Sequence, residues 1–177
     1  SIRSNKQFVT KLSFPVSNIM TFTSLSGLYI HILLCAIMYV VLLCLGFGPS
    51  IYNHQFIYYA LMMSFFFLVL SWMTAPLSAF SKDFENLINS VITGLFWLSG
   101  IFWNTYDISP LWLRKLMYFN PINYFVNGYR KSFLTDTFIF DSNYTTETMV
   151  FYAEFIFMIF LGAHTYKKFR KILPDVL

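Results

Sequence analysis

Between Leu12 and Ser81 the chain carries no Asp, Glu, Lys or Arg. A soluble domain needs charge on its outer surface, whereas a hydrocarbon core penalises each central charge by roughly 2.5–3.5 kcal/mol. That run belongs in a bilayer. About twenty apolar residues cross about 30 Å of hydrocarbon as a helix, and the segment GFGPSIYNHQ divides the run into two such lengths. Gly46, Gly48, Pro49, Asn53 and His54 supply its turn chemistry and polarity. The pattern predicts one span over about 19–45 and another over about 56–80, forming a hairpin.

The elbow SKDFEN, with Lys82, Asp83 and Glu85, predicts a return to water before a third span over about 87–103. A fourth follows over about 146–166 and carries the acid Glu154 well inside it. Four crossings put both ends on one side. Arg3, Lys6 and Lys11 precede the first span, Lys82 sits in the elbow, and Lys167, Lys168, Arg170 and Lys171 follow the last. The positive-inside rule makes these cytoplasmic, so that residues 1–18 form a cytoplasmic loop and 167–177 a cytoplasmic tail. The tail's charge suits anionic lipid.

The long segment between the third and fourth spans then faces outward, and it departs from the usual bias by containing Arg114, Lys115, Arg130 and Lys131. It is also too apolar for a linker. Ser109-Pro110 and Asn120-Pro121 each set a capping side chain before a proline, which is favoured at a first helical position. Two short helices are expected, over about 110–119 and 121–134, with lengths of roughly 15 and 21 Å at about 1.5 Å per residue. Neither spans alone. Residues 107–134 read either as a re-entrant hairpin acting as an outer gate, or as an amphipathic pair lying flat at the interface with Trp112, Tyr118 and Tyr124 as belt aromatics. The basic residues suit substrate phosphate or lipid headgroups equally.

Composition strengthens the membrane reading: 57% hydrophobic, 21% aromatic and only 11% charged, against about 25% charged in soluble domains. The net charge of +4 suits anionic headgroups better than nucleic acid. Cys35 and Cys44 fall on opposite faces of the first predicted helix and make neither a disulfide nor a metal set. The chain opens on polar and basic residues without a signal peptide's apolar core, as expected for a piece of a longer protein.

No G-x-x-x-x-G-K-S/T loop is present to cradle phosphate, and His31, His54 and His164 are scattered, so neither ATPase, hydrolytic nor metal chemistry is expected in this chain. His31 and Glu154 lie within apolar spans, where ionisable residues are functional candidates by default; a hydrogen bond to a neighbouring helix for the one, and pairing or protonation for the other, are the plainer alternatives. Phe96, Trp97, Phe102, Trp103 and Tyr106 offer rings against which sugar C–H faces can lie, with lipid belt and helix packing as the competing purpose. Asn143-Tyr144-Thr145 is a glycosylation sequon on the expected outer side.

The order of span, turn, span, KD-containing elbow, span, SGIFW, short helical pair with NPINYFVNGYR, span and basic tail resembles permeases of the type-2 ABC exporters. Within them it is most similar to the branch that moves polysaccharides on lipid carriers, including wall teichoic acid, O-antigen and capsule export permeases. The likeness rests on the pattern formed by Asn120, Pro121, Tyr124, Tyr129 and Arg130, on the aromatic end of the third span, and on KLSFP before the first. It implies six spans, of which the four read here correspond to the third to sixth. It also implies that residues 3–15 match the loop docking on an ATPase, with Lys11, Phe14 and Pro15 near the contact.

The resulting expectation is an all-α, multi-pass plasma-membrane protein of four transmembrane helices plus a short outer re-entrant hairpin, forming a single membrane domain. It would be the permease subunit of an exporter moving a lipid-linked polysaccharide or teichoic acid, pairing with a second copy and with a separate nucleotide-binding subunit that holds ATP and Mg. Pro110, Trp112, Asn120, Pro121, Tyr124, Tyr129 and Arg130 are the gate candidates. Trp97, Trp103, Tyr106 and Glu154 are substrate-path candidates. A permease of the same fold exporting a drug, peptide or antibiotic is the first alternative, and a membrane-embedded enzyme acting on lipid carriers the second.

Overall fold

A computed structural model describes residues 16–170 and 172, and among these the ordered elements are all helical. Six α-helices occur among the described residues: α1 (Val16–Cys44), α2 (Gln55–Phe80), α3 (Lys82–Leu98), α4 (Leu111–Met117), α5 (Pro121–Phe133) and α6 (Thr145–Phe169). The protein is an all-α membrane protein. Three segments, Asn18–Cys44, Ile51–Phe80 and Ser142–Phe169, are long and apolar enough to cross a bilayer. Their apolar side chains stand largely exposed, as with Tyr29 and Ile30 on α1 or Phe157 and Phe160 on α6. Where lipid is the solvent, such faces need no protein cover.

The helix at the expected third span differs from the expected bounds of 87–103. Helix α3 starts at Lys82 and stops at Leu98, and its 17 residues rise about 25 Å, short of a full hydrocarbon thickness. The expected watery elbow shrinks to Ser81, whose hydroxyl accepts the Phe84 N–H and starts the new helix. Asp83 and Glu85 thereby fall in the first turn of α3, where the helix dipole favours acids.

At the end of α1, Gly46 has φ 93°, a left-handed conformation that costs a glycine nothing. The Phe47 N–H reaches the Leu42 carbonyl and the Gly46 N–H the Leu43 carbonyl, closing the helix with a Schellman motif. Helix α4 also departs from expectation. Pro110 occupies its N-cap position without a side-chain hydrogen bond, and only Leu111–Met117 are α-helical. Asn120, by contrast, accepts the Ile122 N–H and sets Pro121 at the first turn of α5.

The chain divides into two compact units, and each long helix contributes one end to each. Of the described residues, the first unit takes 16–29, Ser64–Ile92, 155–170 and 172. Its core is apolar: Ile19, Met20 and Ala79 are buried against Leu68, Trp72, Ala75 and Tyr166. Gly162 lets α6 approach α2 closely, since an added Cβ would stand 2.8 Å from the Val69 carbonyl oxygen. Small residues at such crossings are the usual means of packing helices in lipid.

The second unit comprises Ile30–Met63 and Thr93–Glu154. It holds the short helices, the loop after α3 and the start of α6. Tyr59, Tyr124, Phe125 and Phe151 are buried there, with Tyr124 stacked on Phe151 at 4.0 Å between ring centroids and 8° between planes.

Candidate functional site

Helix α5 carries a polar stripe, Asn123, Asn127 and Lys131, repeating at helical spacing. All three are buried, so each must find a partner. They find it in Glu147, an acid in the first turn of α6 that is itself 1% exposed. Glu147 Oε1 accepts from Asn127 Nδ2 at 2.7 Å and Asn123 Nδ2 at 3.4 Å. Its Oε2 accepts from the Tyr106 hydroxyl at 2.5 Å and pairs with Lys131 Nζ at 3.4 Å.

Lys131 and Asn123 are each held from a second direction. Lys131 Nζ lies 3.7 Å from the centroid of the Tyr144 ring, a cation–π contact. Asn123 Oδ1 accepts from Thr105 Oγ1 at 2.6 Å and from the Gly100 N–H at 3.1 Å. Gly100 has no room for a side chain, because a Cβ would stand 2.6 Å from Thr105 Oγ1. Burial raises the Tyr106 pKa far above the usual phenol value, and the Glu147 charge raises it further. Tyr106 therefore stays a proton donor. Burial also draws the Lys131 pKa below the ordinary lysine value, against which Glu147 and Asp141 pull it back up.

The same helix fixes the chain beyond α3. Arg130 donates to the Trp103 carbonyl at 3.0 Å and the Ile101 carbonyl at 3.2 Å, while Asn120 Nδ2 donates to the Leu95 carbonyl at 2.8 Å. Residues near the end of α3, which a continuing helix would satisfy internally, are thus satisfied from α5, and the helix stops at Leu98.

A second set of contacts joins α5 to α1 and α2 within this unit. The Tyr129 hydroxyl and His31 Nε2 are 2.6 Å apart, and the Cys35 sulfur is 3.4 Å from that nitrogen. Tyr58 bonds both Tyr124 and Tyr152 through their hydroxyls, at 3.1 and 2.7 Å. Gly128 faces the Tyr59 ring, where a Cβ would come within 2.2 Å of Cε1. A separate cavity of about 360 Å³ lies between Cys35, Tyr39, Asn53, His54, Phe56 and Phe133.

The sequence-predicted residues thus distribute unevenly. Asn120, Tyr124, Tyr129 and Arg130 belong to the contacts of α5, and Tyr106 to the cluster around Glu147. Pro110 and Pro121 stand at helix starts, and Trp112 is exposed. Trp97 and Trp103 lie at the surface, with Trp97 stacked on Phe102 at 5.5 Å. Glu154 is half-buried and takes no part in the cluster; its Oε2 has no hydrogen-bond partner among the described residues. Lys11, Phe14 and Pro15 lie outside the described residues. Cys35 and Cys44 are both free thiols. No group of three or more His, Cys, Asp or Glu side chains able to hold a metal is present among the described residues.

Glu147 escaped the sequence reading, which weighed Glu154 because it lies deeper in an apolar span. The stripe Asn123, Asn127 and Lys131 was the available signal: three polar groups on one face of a helix otherwise rich in aromatics demand a buried partner.

Long apolar helices with short helices wired among their ends define a membrane-embedded protein. The family model described as ABC-2 type transporter matches residues 1–134, and the chain belongs to that family. It is accordingly a permease component of an ABC transporter, a role that implies an ATPase partner. No curated protein and no solved structure matches the chain.

Proposed function

We propose that this permease exports a lipid-linked polysaccharide or teichoic acid across the plasma membrane. It works as a pair of copies, with a separate subunit that binds ATP and Mg docking near Lys11, Phe14 and Pro15. The family match carries the transport role. Support for a sugar polymer comes from the exposed rings Phe96, Trp97, Phe102 and Trp103, which are placed where C–H faces could lie against them.

The short helices α4 and α5 act as the outer gate. Support for this role is their length, at 7 and 13 residues about 10 and 20 Å, too short to cross yet tied by side chains to the starts and ends of longer helices. Lys82, Lys167, Lys168 and Arg170 face the cytoplasm by the positive-inside rule.

Membrane vesicles holding the permease and its ATPase should hydrolyse ATP in step with polymer movement. Trp97→Ala combined with Trp103→Ala should slow movement several-fold without changing the folded fraction. ATP-driven efflux of an amphiphilic drug with no polymer movement would overturn the cargo, and unchanged export after deleting residues 110–134 would overturn the gate.

A further inference from the structure

Glu147 bonds to two separate segments while sitting on a third. Tyr106 reaches it from the loop after α3, and Asn123, Asn127 and Lys131 reach it from α5. The carboxylate itself rides in the first turn of α6. That position suits an anion, because the unpaired N–H groups of a helix start carry partial positive charge.

A buried ion pair is a poor choice for stability alone, since well-packed apolar residues of similar volume often do as well or better. Its distinctive property is discreteness. Removing or displacing one partner leaves a stranded charge, so the pair favours a docked arrangement or a fully separated one over intermediate positions. Other polar bonds of α5 reach the loop after α3 through Arg130 and Asn123, whereas against α6 the stacking of Tyr124 on Phe151 is packing that does not select one register so sharply.

We propose that Glu147 is the positioning residue of the short-helix pair: its carboxylate latches α5 and the loop after α3, themselves joined through Arg130 and Asn123, to the start of α6, and release of Lys131 and Tyr106 from it loosens α5 and that loop together. The consequence for transport rests on the reading of α4 and α5 as a gate; the latch itself does not.

Hydrogen exchange, read by mass spectrometry on the full chain in native membranes, tests it. Glu147→Gln and Lys131→Met should each speed exchange across Pro121–Phe133 by at least about tenfold, while residues 64–80 keep the parent rate. Lys131→Arg should retain most of the protection. Tyr106→Phe, which removes one donor and no charge, should give a smaller rise in the same segment. Unchanged exchange in α5 with Glu147→Gln overturns the latch. If Glu147→Gln loosens residues 64–80 as well, Tyr106→Phe decides: a rise confined to α5 and the loop supports the latch, and no rise overturns it. Leak of a membrane-impermeant dye from closed vesicles separates the two ideas. Faster α5 exchange without leak keeps the latch and overturns the gate.

Discussion

The two units of this permease solve packing by different means although the same long helices pass through both. In the first, Ile19, Met20 and Ala79 meet Leu68, Trp72, Ala75 and Tyr166, and Gly162 brings backbones close to Val69. In the second, a carboxylate, an ammonium, amides and phenols are buried and joined by hydrogen bonds. Apolar surface tolerates small slides, because each atom contact contributes only about 0.1–0.2 kcal/mol. Directional bonds between buried polar groups do not, because an unmet donor or acceptor costs about 1–3 kcal/mol. The second unit therefore specifies position where the first supplies bulk cohesion, and the short helices sit in the unit that specifies.

Substitutions can break that contrast, and the largest effect belongs to the ion pair. Glu147→Gln should cost about 3–5 kcal/mol in a denaturant titration of the detergent-solubilised protein. The Lys131→Met, Glu147→Leu double variant should cost less than the two single changes added together, since it strands no charge. Next comes Gly128→Ala, which drives a methyl into the buried Tyr59 ring and should cost about 1–3 kcal/mol in the same titration. Gly162→Ala sharpens the comparison from the other side. Its Cβ meets a backbone oxygen that cannot turn aside as a side chain can, so α6 and α2 must move apart at a cost of about 1–3 kcal/mol. Tyr58→Phe removes hydroxyl bonds to Tyr124 and Tyr152 and should lower stability by about 0.5–1.5 kcal/mol, with thermal unfolding as the readout. A loss at Gly162 exceeding that at Glu147 would invert the assignment of cohesion and specification.

Much of the architecture was written in the pattern of charge. The charge-free run from Leu12 to Ser81 and its glycine-rich break locate α1 and α2 to within a few residues, because hydrocarbon solvent imposes a minimum length and excludes charge. Asn120-Pro121 marks the start of α5 for an equally local reason: one side chain satisfies the first orphan N–H and one ring needs no partner. Local chemistry failed where distant groups intervene. The end of α3 is set by Arg130 and Asn123, which take up the loop beyond Leu98 from another helix, so an apolar count carried on to Trp103. The start of α3 was missed because Ser81 serves as its cap, leaving the charged residues inside the helix rather than in a solvated elbow. Glu147 was missed because nothing in its own neighbourhood signals burial; only Asn123, Asn127 and Lys131, read together, ask for such a partner.

Lys131 falls inside the stretch that matches the family model, and Glu147 falls after its end at residue 134. A hybrid permease spliced at that boundary would inherit a sequestered ammonium from one parent. Unless the other parent brings an acid to the opening turn of its closing helix, the graft fails at a junction that no comparison of helix lengths would flag. Domain-swapping designs for this protein should therefore treat positions 131 and 147 as one inseparable cassette.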